Sequence, residues 1–178
     1  NIKIHQNNIQ SNMEKLSSGY KINSAADDAA GLAISEKFKG ELTALEQAQL
    51  NVQDTVSLLQ TAEGGMGSIH NMLNRMVELT TKASNGVYDT TVDRVAIQDE
   101  IDALIAEINR VSKSINFNNK TLLDGSFKDV NFQIGADEKD VLTVTIGGLD
   151  ATALGLDKID VSSPEKAQEA VDAVPGIL

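Results

Sequence analysis

With 178 residues the chain is sized for one modest domain, and its formal net charge of -11 argues against nucleic acid and anionic membrane surfaces as partners, since both select for basic patches. Hydrophobic residues make up 41% but aromatic ones only 3%, so any core must be built from Leu, Ile, Val, Met and Ala in thin helical layers, with no large globular centre. Cysteine is absent, which excludes disulfides and thiolate metal sites.

In chain order, the first stretch, Ile2 to Leu16, is amphipathic, with Ile2, Ile9, Met13 and Leu16 at helical spacing among Gln, Asn and Ser. No apolar run approaches ~18 residues and no basic-then-apolar leader follows Asn1, so neither a membrane span nor a cleavable signal peptide is expected. A polar connector follows, with Gly19 as the helix stop signal.

A long helix is then predicted from Ser24 to about Ala83. Stepping by seven from Phe38 gives Leu45, Val52, Leu59, Met66 and Leu73, while Leu42, Ala48, Val56, Ala62, Ile69 and Met76 fill the interleaved positions. Ser24 stands three residues before Asp27 in a capping-box-like arrangement, and Ser84-Asn85-Gly86 reads as a left-handed stop. At ~1.5 Å per residue such a helix runs on the order of 90 Å. Gly64, Gly65 and Gly67 fall inside it, each costing roughly 1 kcal/mol relative to alanine. Register is kept across them from Leu59 to Met66 to Leu73, so one helix is expected, with a break into two as the alternative. Small residues there also suit close approach of another backbone.

After a connector from Asn85 to Thr91, a second helix runs from about Val92 to Ser114. Ile97, Ile101, Leu104, Ile108, Val111 and Ile115 form a seam suited to antiparallel packing on the long helix. At ~36 Å it covers well under half of the long stripe, so Leu45, Val52 and Leu59 are expected to remain partly exposed or to meet another chain. Asn116 to Gly125 is a turn-rich link. From Lys128 the period changes to two: Val130, Phe132 and Ile134, then Leu142, Val144 and Ile146, read as a β-hairpin. A third helix opens at Ser163-Pro164, and Pro175-Gly176 would stop it. The fold class is mainly α: a long-helix, antiparallel, coiled-coil-like rod with a small β-hairpin.

The residues support no catalytic, cofactor or metal site. His5 and His70 are the only histidines, no His-Glu-x-x-His helix exists, and His70 beside Ile69 suits a structural or solvated role. Asp27-Asp28 and Asp99-Glu100 read as solvated helix-end or polar-face charge. Gly64-Gly-Met-Gly67 lacks both the Lys-Ser/Thr and the preceding strand of a phosphate loop. No enzyme is expected.

Leu16-Ser-Ser-Gly-Tyr-Lys-Ile-Asn23 followed by Asp27-Asp-Ala-Ala-Gly-Leu-Ala-Ile34 resembles the amino-terminal signature of bacterial flagellin. The resemblance continues through Thr61-Ala-Glu-Gly64, Leu73-Asn-Arg-Met-Val-Glu-Leu79, the helix from Ile97 to Ser112 and Phe117-Asn-Asn-Lys-Thr-Leu-Leu-Asp-Gly125, with a short Leu154-Gly-Leu-Asp157 turn beyond. It implies residues 1–23 as the end of an inner-tube helix and connector. Residues 24–162 would form a helical rod domain with the hairpin at about 128–147, and residues 163–178 the truncated start of a carboxy-terminal helix. The chain reads as a truncated short member without outer variable domains.

The implied function is a secreted structural subunit of the flagellar filament, with other flagellin subunits and the flagellar export machinery as partners. The alternatives are a hook–filament junction protein, which caps rather than propagates the filament, and a free-standing helical adaptor. The resemblance also implies a ligand of the flagellin-sensing Toll-like receptor. Its recognition patch would be Asn74, Arg75, Glu78 and Leu79, with Glu107 on the following helix. Val77 stands where the family has a second arginine, and Thr80-Thr81-Lys82 departs from the usual Ala-Val-Gln.

Overall fold

The computed structural model describes residues 2–177. Its helices are α1 (Ile2–Ser18), α2 (Ala25–Ser84), α3 (Asp93–Ser114) and α4 (Pro164–Ala173). Between α3 and α4 lie two strand pairs, β1 (Asn116–Phe117) with β2 (Lys120–Thr121) and β3 (Val130–Gln133) with β4 (Val141–Val144), then a 3-10 turn at Leu156–Lys158. The class is therefore mainly α with a small antiparallel hairpin. Two units form: residues 2–51 with Gln133–Asp140, and Val52–Phe132 with 141–177.

In the first unit, α1 stops where the sequence predicts. Gly19 takes φ 74°, and its N–H reaches the Lys15 carbonyl at 3.0 Å. The connector is tied by Lys15 to the Asp27 carboxylate at 2.7 Å and by the Asn23 amide, which donates to the Glu14 carbonyl and the Ser18 hydroxyl. The start of α2 differs from expectation. Asp28 is extended (φ -165°, ψ 98°) and its carboxylate accepts the Gly31 N–H at 2.9 Å, so the continuous helix is capped by Asp28. The Ser24–Asp27 pair exists, but it closes the turn before that cap. Gly31 is required here, because a Cβ would lie 2.5 Å from the Asp28 carboxylate. Phe38, Leu42 and Leu45, at 62%, 59% and 51%, stay exposed along this part of α2.

In the second unit α2 runs unbroken through Gly64, Gly65 and Gly67. The buried stripe comprises Thr55, Leu58, Ala62, Gly65, Ile69, Leu73, Met76, Leu79 and Ala83, and all of these but Thr55 and Gly65 share one core cluster with Ile97, Ile101, Ile108 and Val111 of α3. Only part of the expected seam is thus internal. Val52, Leu59 and Met66 are exposed, and Met66 lies opposite α3 in the register set by an Arg75–Glu100 ion pair. Exposure of these side chains therefore follows from the face they occupy as well as from the shortness of α3.

Gly65 is a packing site of a different kind from the one expected. A Cβ would meet Leu123 Cδ1 at 2.8 Å and Ile115 Cγ1 at 2.9 Å, so side chains of this same chain occupy the space. The turn-rich link holds a hairpin that the periodicity missed. Asn118 and Asn119 take positive φ (47° and 61°), the geometry of a two-residue turn joining β1 to β2. Leu122, Leu123 and Phe127 then enter the core, with Val130, Phe132, Val144 and Ile146 packed against it.

Two carboxamides of α3 hold the returning chain. Gln98 accepts the Val161 N–H at 2.8 Å and donates to the Ile159 carbonyl, while Asn109 accepts the Ala151 N–H at 2.9 Å. Ser163 caps α4 as predicted, accepting the Lys166 N–H, and Ala167, Ala170 and Val174 are buried.

Gly64 and Gly65 differ only in what surrounds them, which makes a direct test. Gly64 has nothing within 4 Å of a built Cβ, so Gly64→Ala should stabilise the chain by up to about 1 kcal/mol through helix propensity. Gly65→Ala should forfeit that gain, because Leu123 and Ile115 must shift. Equal increases in urea midpoint for the two would contradict the packing role of Gly65.

Candidate interaction surface

The surface facing outward on α2 and α3 is set by how their connecting turn closes. Asp89 opens α3: its carboxylate accepts the Thr91 hydroxyl and N–H and the Val92 N–H, and these bonds hold its carboxyl below the ordinary aspartate range. Asp93 reaches back to accept the Asp89 N–H at 3.0 Å. One turn inside sits Arg94, fully buried. Its guanidinium donates to the Ala83 carbonyl and, at 3.1 Å, to the Asn85 carbonyl, so it caps the carboxy-terminal end of α2. The glycine stop expected at Gly86 is not what ends this helix. Gly86 is not among the glycines with positive φ, and the arginine satisfies the carbonyls that a left-handed glycine motif would serve.

Arg94 is the residue that sequence reasoning missed. A signal was present: three residues before Ile97, it continues the three-four spacing of the α3 seam, where a charge must be either capped or misplaced.

Along the same two helices, Arg75 lies on the outside with its side chain 49% exposed. It bridges Glu78, at 2.8 Å on its own helix, and Glu100, at 2.8 Å on α3. Hydrogen bonds from Glu78 first, and then Glu100, raise its guanidinium above the ordinary value. Glu100, dismissed in the sequence as a solvated polar-face charge, is thus an interhelical partner. Asn74 and Glu78 are exposed. Leu79, in contrast, is only 2% exposed and belongs to the core. Glu107 is held by Arg110 at 2.6 Å, which lowers its carboxyl below the ordinary range. Seven residues from Glu100, it lies roughly 10 Å farther along the same face of α3. The structure therefore joins Arg75 to Glu78 and Glu100, and leaves Glu107 with Arg110.

A shallow hollow of about 430 Å³ is lined by Met66, His70, Leu73, Leu149, Leu154 and Ile177. His70 is exposed on it. Among the described residues no group of three His, Asp or Glu side chains could hold a metal ion, and no helix is long and apolar enough to cross a membrane.

A long helix paired with a shorter antiparallel one, with large apolar side chains left outside, defines a helical protein that works through its surfaces. Residues 1–128 match the family of the bacterial flagellin N-terminal helical region. The flagellin of Bacillus subtilis (strain 168) is 48% identical over 164 residues, covering 86% of this chain and 54% of that protein. The flagellin of Halalkalibacterium halodurans is 42% identical over 178 residues, covering 98% of this chain and 64% of that protein. The crystal structure of Bacillus cereus flagellin aligns with a TM-score of 0.64 at 28% identity, over 72% of this chain and 74% of that one. The chain belongs to the bacterial flagellin family, which is structural rather than enzymatic. It spans less than two thirds of the length of either sequence relative.

The Arg94 clamp predicts a large and residue-specific stability effect. Arg94→Met should lower unfolding free energy by about 2–4 kcal/mol, because the buried Ala83 carbonyl and the part-buried Asn85 carbonyl lose charged donors. Arg94→Lys should restore little, since one ammonium lacks the planar fork that reaches two carbonyls. Urea unfolding decides it, and a lysine variant as stable as the parent would mean that charge alone closes the turn.

Proposed function

We propose that this chain is the amino-terminal part of a subunit that polymerises into the bacterial flagellar filament, outside the cell, for motility. Its partners are other flagellin subunits and, before assembly, the flagellar export machinery. In this reading residues 1–23 lead out of the inner tube, 24–162 form the wall domain, and 163–178 begin the helix that returns to the tube. The observation that carries it is the exposed large apolar side chains of α2, Phe38, Leu42 and Leu45 in the first unit and Val56, Leu59 and Met66 in the second. Removing the exposed part of each from water is worth on the order of 1 kcal/mol, a strong drive towards a partner surface.

The test is self-association followed by sedimentation velocity. The chain should associate with rising concentration, and Phe38→Asp with Leu45→Asp should weaken this at least about tenfold while helical circular dichroism is unchanged. A chain that stays monomeric throughout would favour a hook–filament junction role or a free-standing adaptor and overturn the reading, as would association untouched by the two aspartates.

A second reading is supported by the Arg75 cluster. We infer that the chain is also a ligand of the flagellin-sensing Toll-like receptor, through Asn74, Arg75, Glu78 and Glu107, with Leu79 supporting the helix from beneath. Arg75 is held by two carboxylates, so less side-chain entropy remains to be lost on binding. Arg75→Ala should lower receptor affinity at least about tenfold, as for an interface anchor, at a stability cost under about 1 kcal/mol, since both ion pairs are exposed. Unchanged affinity in surface plasmon resonance would remove Arg75 from the contact. A large fall in melting temperature would make it a packing residue.

A further inference from the structure

We propose that Asn85-Gly86 is a site of spontaneous backbone modification, and that the buried Arg94 directs its product to isoaspartate. Four features of the turn converge. Asn85 and Gly86 are both exposed. Among the described residues the Gly86 N–H makes no hydrogen bond, and no atom lies within 4 Å of where its Cβ would be, so the nucleophilic nitrogen is free and uncrowded. The Asn85 side-chain oxygen accepts the Val87 N–H at 3.3 Å, an Asx turn around Gly86 that polarises the carboxamide carbon. The Asn85 main-chain carbonyl accepts from the Arg94 guanidinium at 3.1 Å.

The chemistry needs only water. The Gly86 nitrogen, losing its proton to hydroxide, attacks Asn85 Cγ. The new C–N bond forms, the bond from Cγ to Nδ2 breaks, and the nitrogen leaves as ammonia, giving a five-membered succinimide. Water then opens the ring at one of two carbons. Addition at Cγ breaks its bond to the Gly86 nitrogen and yields aspartate. Addition at the main-chain carbon of residue 85 breaks that carbon's bond to the same nitrogen, routes the chain through Cγ and leaves a free α-carboxylate. One water enters, one ammonia leaves, and nothing is oxidised.

Arg94 selects between the two openings. Its N–H polarises the main-chain carbonyl, as an oxyanion-stabilising donor does, and favours water addition there. The product carboxylate then lies where the carbonyl was, against the guanidinium. Arg94 is buried, donates to main-chain carbonyls, and has an Nε without a partner. A carboxylate is a stronger acceptor for it than a neutral carbonyl. The one Asp-Gly pair in the sequence, Asp124-Gly125, offers an internal contrast. The Asp124 carboxylate is engaged by the Ser126 N–H and hydroxyl, and Gly125 takes φ +79° with Gly148 backbone 3.3 Å from its Cβ position. That site should be silent.

The test incubates the full folded chain in mildly alkaline buffer, with a parallel sample in urea, and follows intact mass, peptide maps and isoaspartyl methyl-transfer labelling. A gain of about 1 Da should arise first at Asn85, and Gly86→Ala, whose methyl fits without strain, should slow it at least about tenfold. The ratio of isoaspartate to aspartate should be higher in the folded sample than in urea. Conversion no faster at Asn85 than at the other asparagines, or unchanged in Gly86→Ala, would overturn the site. Equal product ratios with and without urea would overturn the role of Arg94.

Discussion

The packing on α2 depends on one buried cation at the turn into α3. A turn between two antiparallel helices brings together a carboxy-terminal end rich in bare carbonyls and an amino-terminal end rich in bare N–H groups. Arg94 serves the first and Asp89 the second, and the two lie five residues apart on the same stretch. With that end fixed, stepping by seven from Arg94 brings Ile101 and Ile108 onto the buried stripe of α2, with Ile97 one turn in. Arg75 then falls opposite Glu100, and the Gln98 and Asn109 carboxamides reach the returning chain. The Glu165 carboxyl on α4 is held below the ordinary range chiefly by its own N–H and by Ser163, with Arg94's charge adding to the effect.

Small residues punctuate the inner stripe of α2. Ala48, Thr55, Ala62, Gly65 and Ala83 alternate there with Leu58, Ile69, Leu73, Met76 and Leu79, while Phe38, Leu45, Leu59 and Met66 lie outside. Small residues let Ile115, Leu123 and the α3 seam approach closely, which is how a chain with few aromatics reaches a dry interior. The large residues outside contribute little to this fold. Their burial requires another surface, and the fold leaves them free to meet one.

Apart from the short β1–β2 hairpin, element type was readable from periodicity, and burial was not. The seven-residue step located the long helix, the α3 seam and, by its change to two, the β3–β4 hairpin. Gly19 and Ser163 marked ends because their mechanism is local. A heptad pattern on a helix with two apolar stripes cannot say which of them the chain itself will cover. That choice rests on residues such as Leu123 and Phe127, far along the sequence. The Asp28 cap lost to Ser24 in the reading because both have helix-start chemistry, and the decision turned on the room that Gly31 makes. At the candidate surface, Arg75 and Glu78 were readable as neighbours three apart. The bond to Glu100 and the burial of Leu79 were not, since both depend on interhelical register.

The charge distribution bears on what the exposed stripe can meet. A net charge of -11 would oppose contact between copies of the chain if it were spread evenly. It is not. Residues 124–177 hold eleven acidic and four basic side chains, a net of -7, which leaves -4 for the rest of the chain. Around Phe38 and Leu42 the charges are Glu36, Lys37, Lys39 and Glu41, which cancel and are locally paired, Lys39 with Glu36 at 2.7 Å and Lys37 with Glu41 at 3.5 Å. With a screening length of about 8 Å at physiological salt, these cancelling pairs leave little net field along the Phe38–Leu42 stretch itself. Hydrophobic burial can then set the contact along this stretch of α2. The acidic segment, repelling its own kind, disfavours alternative contacts through the 124–177 region.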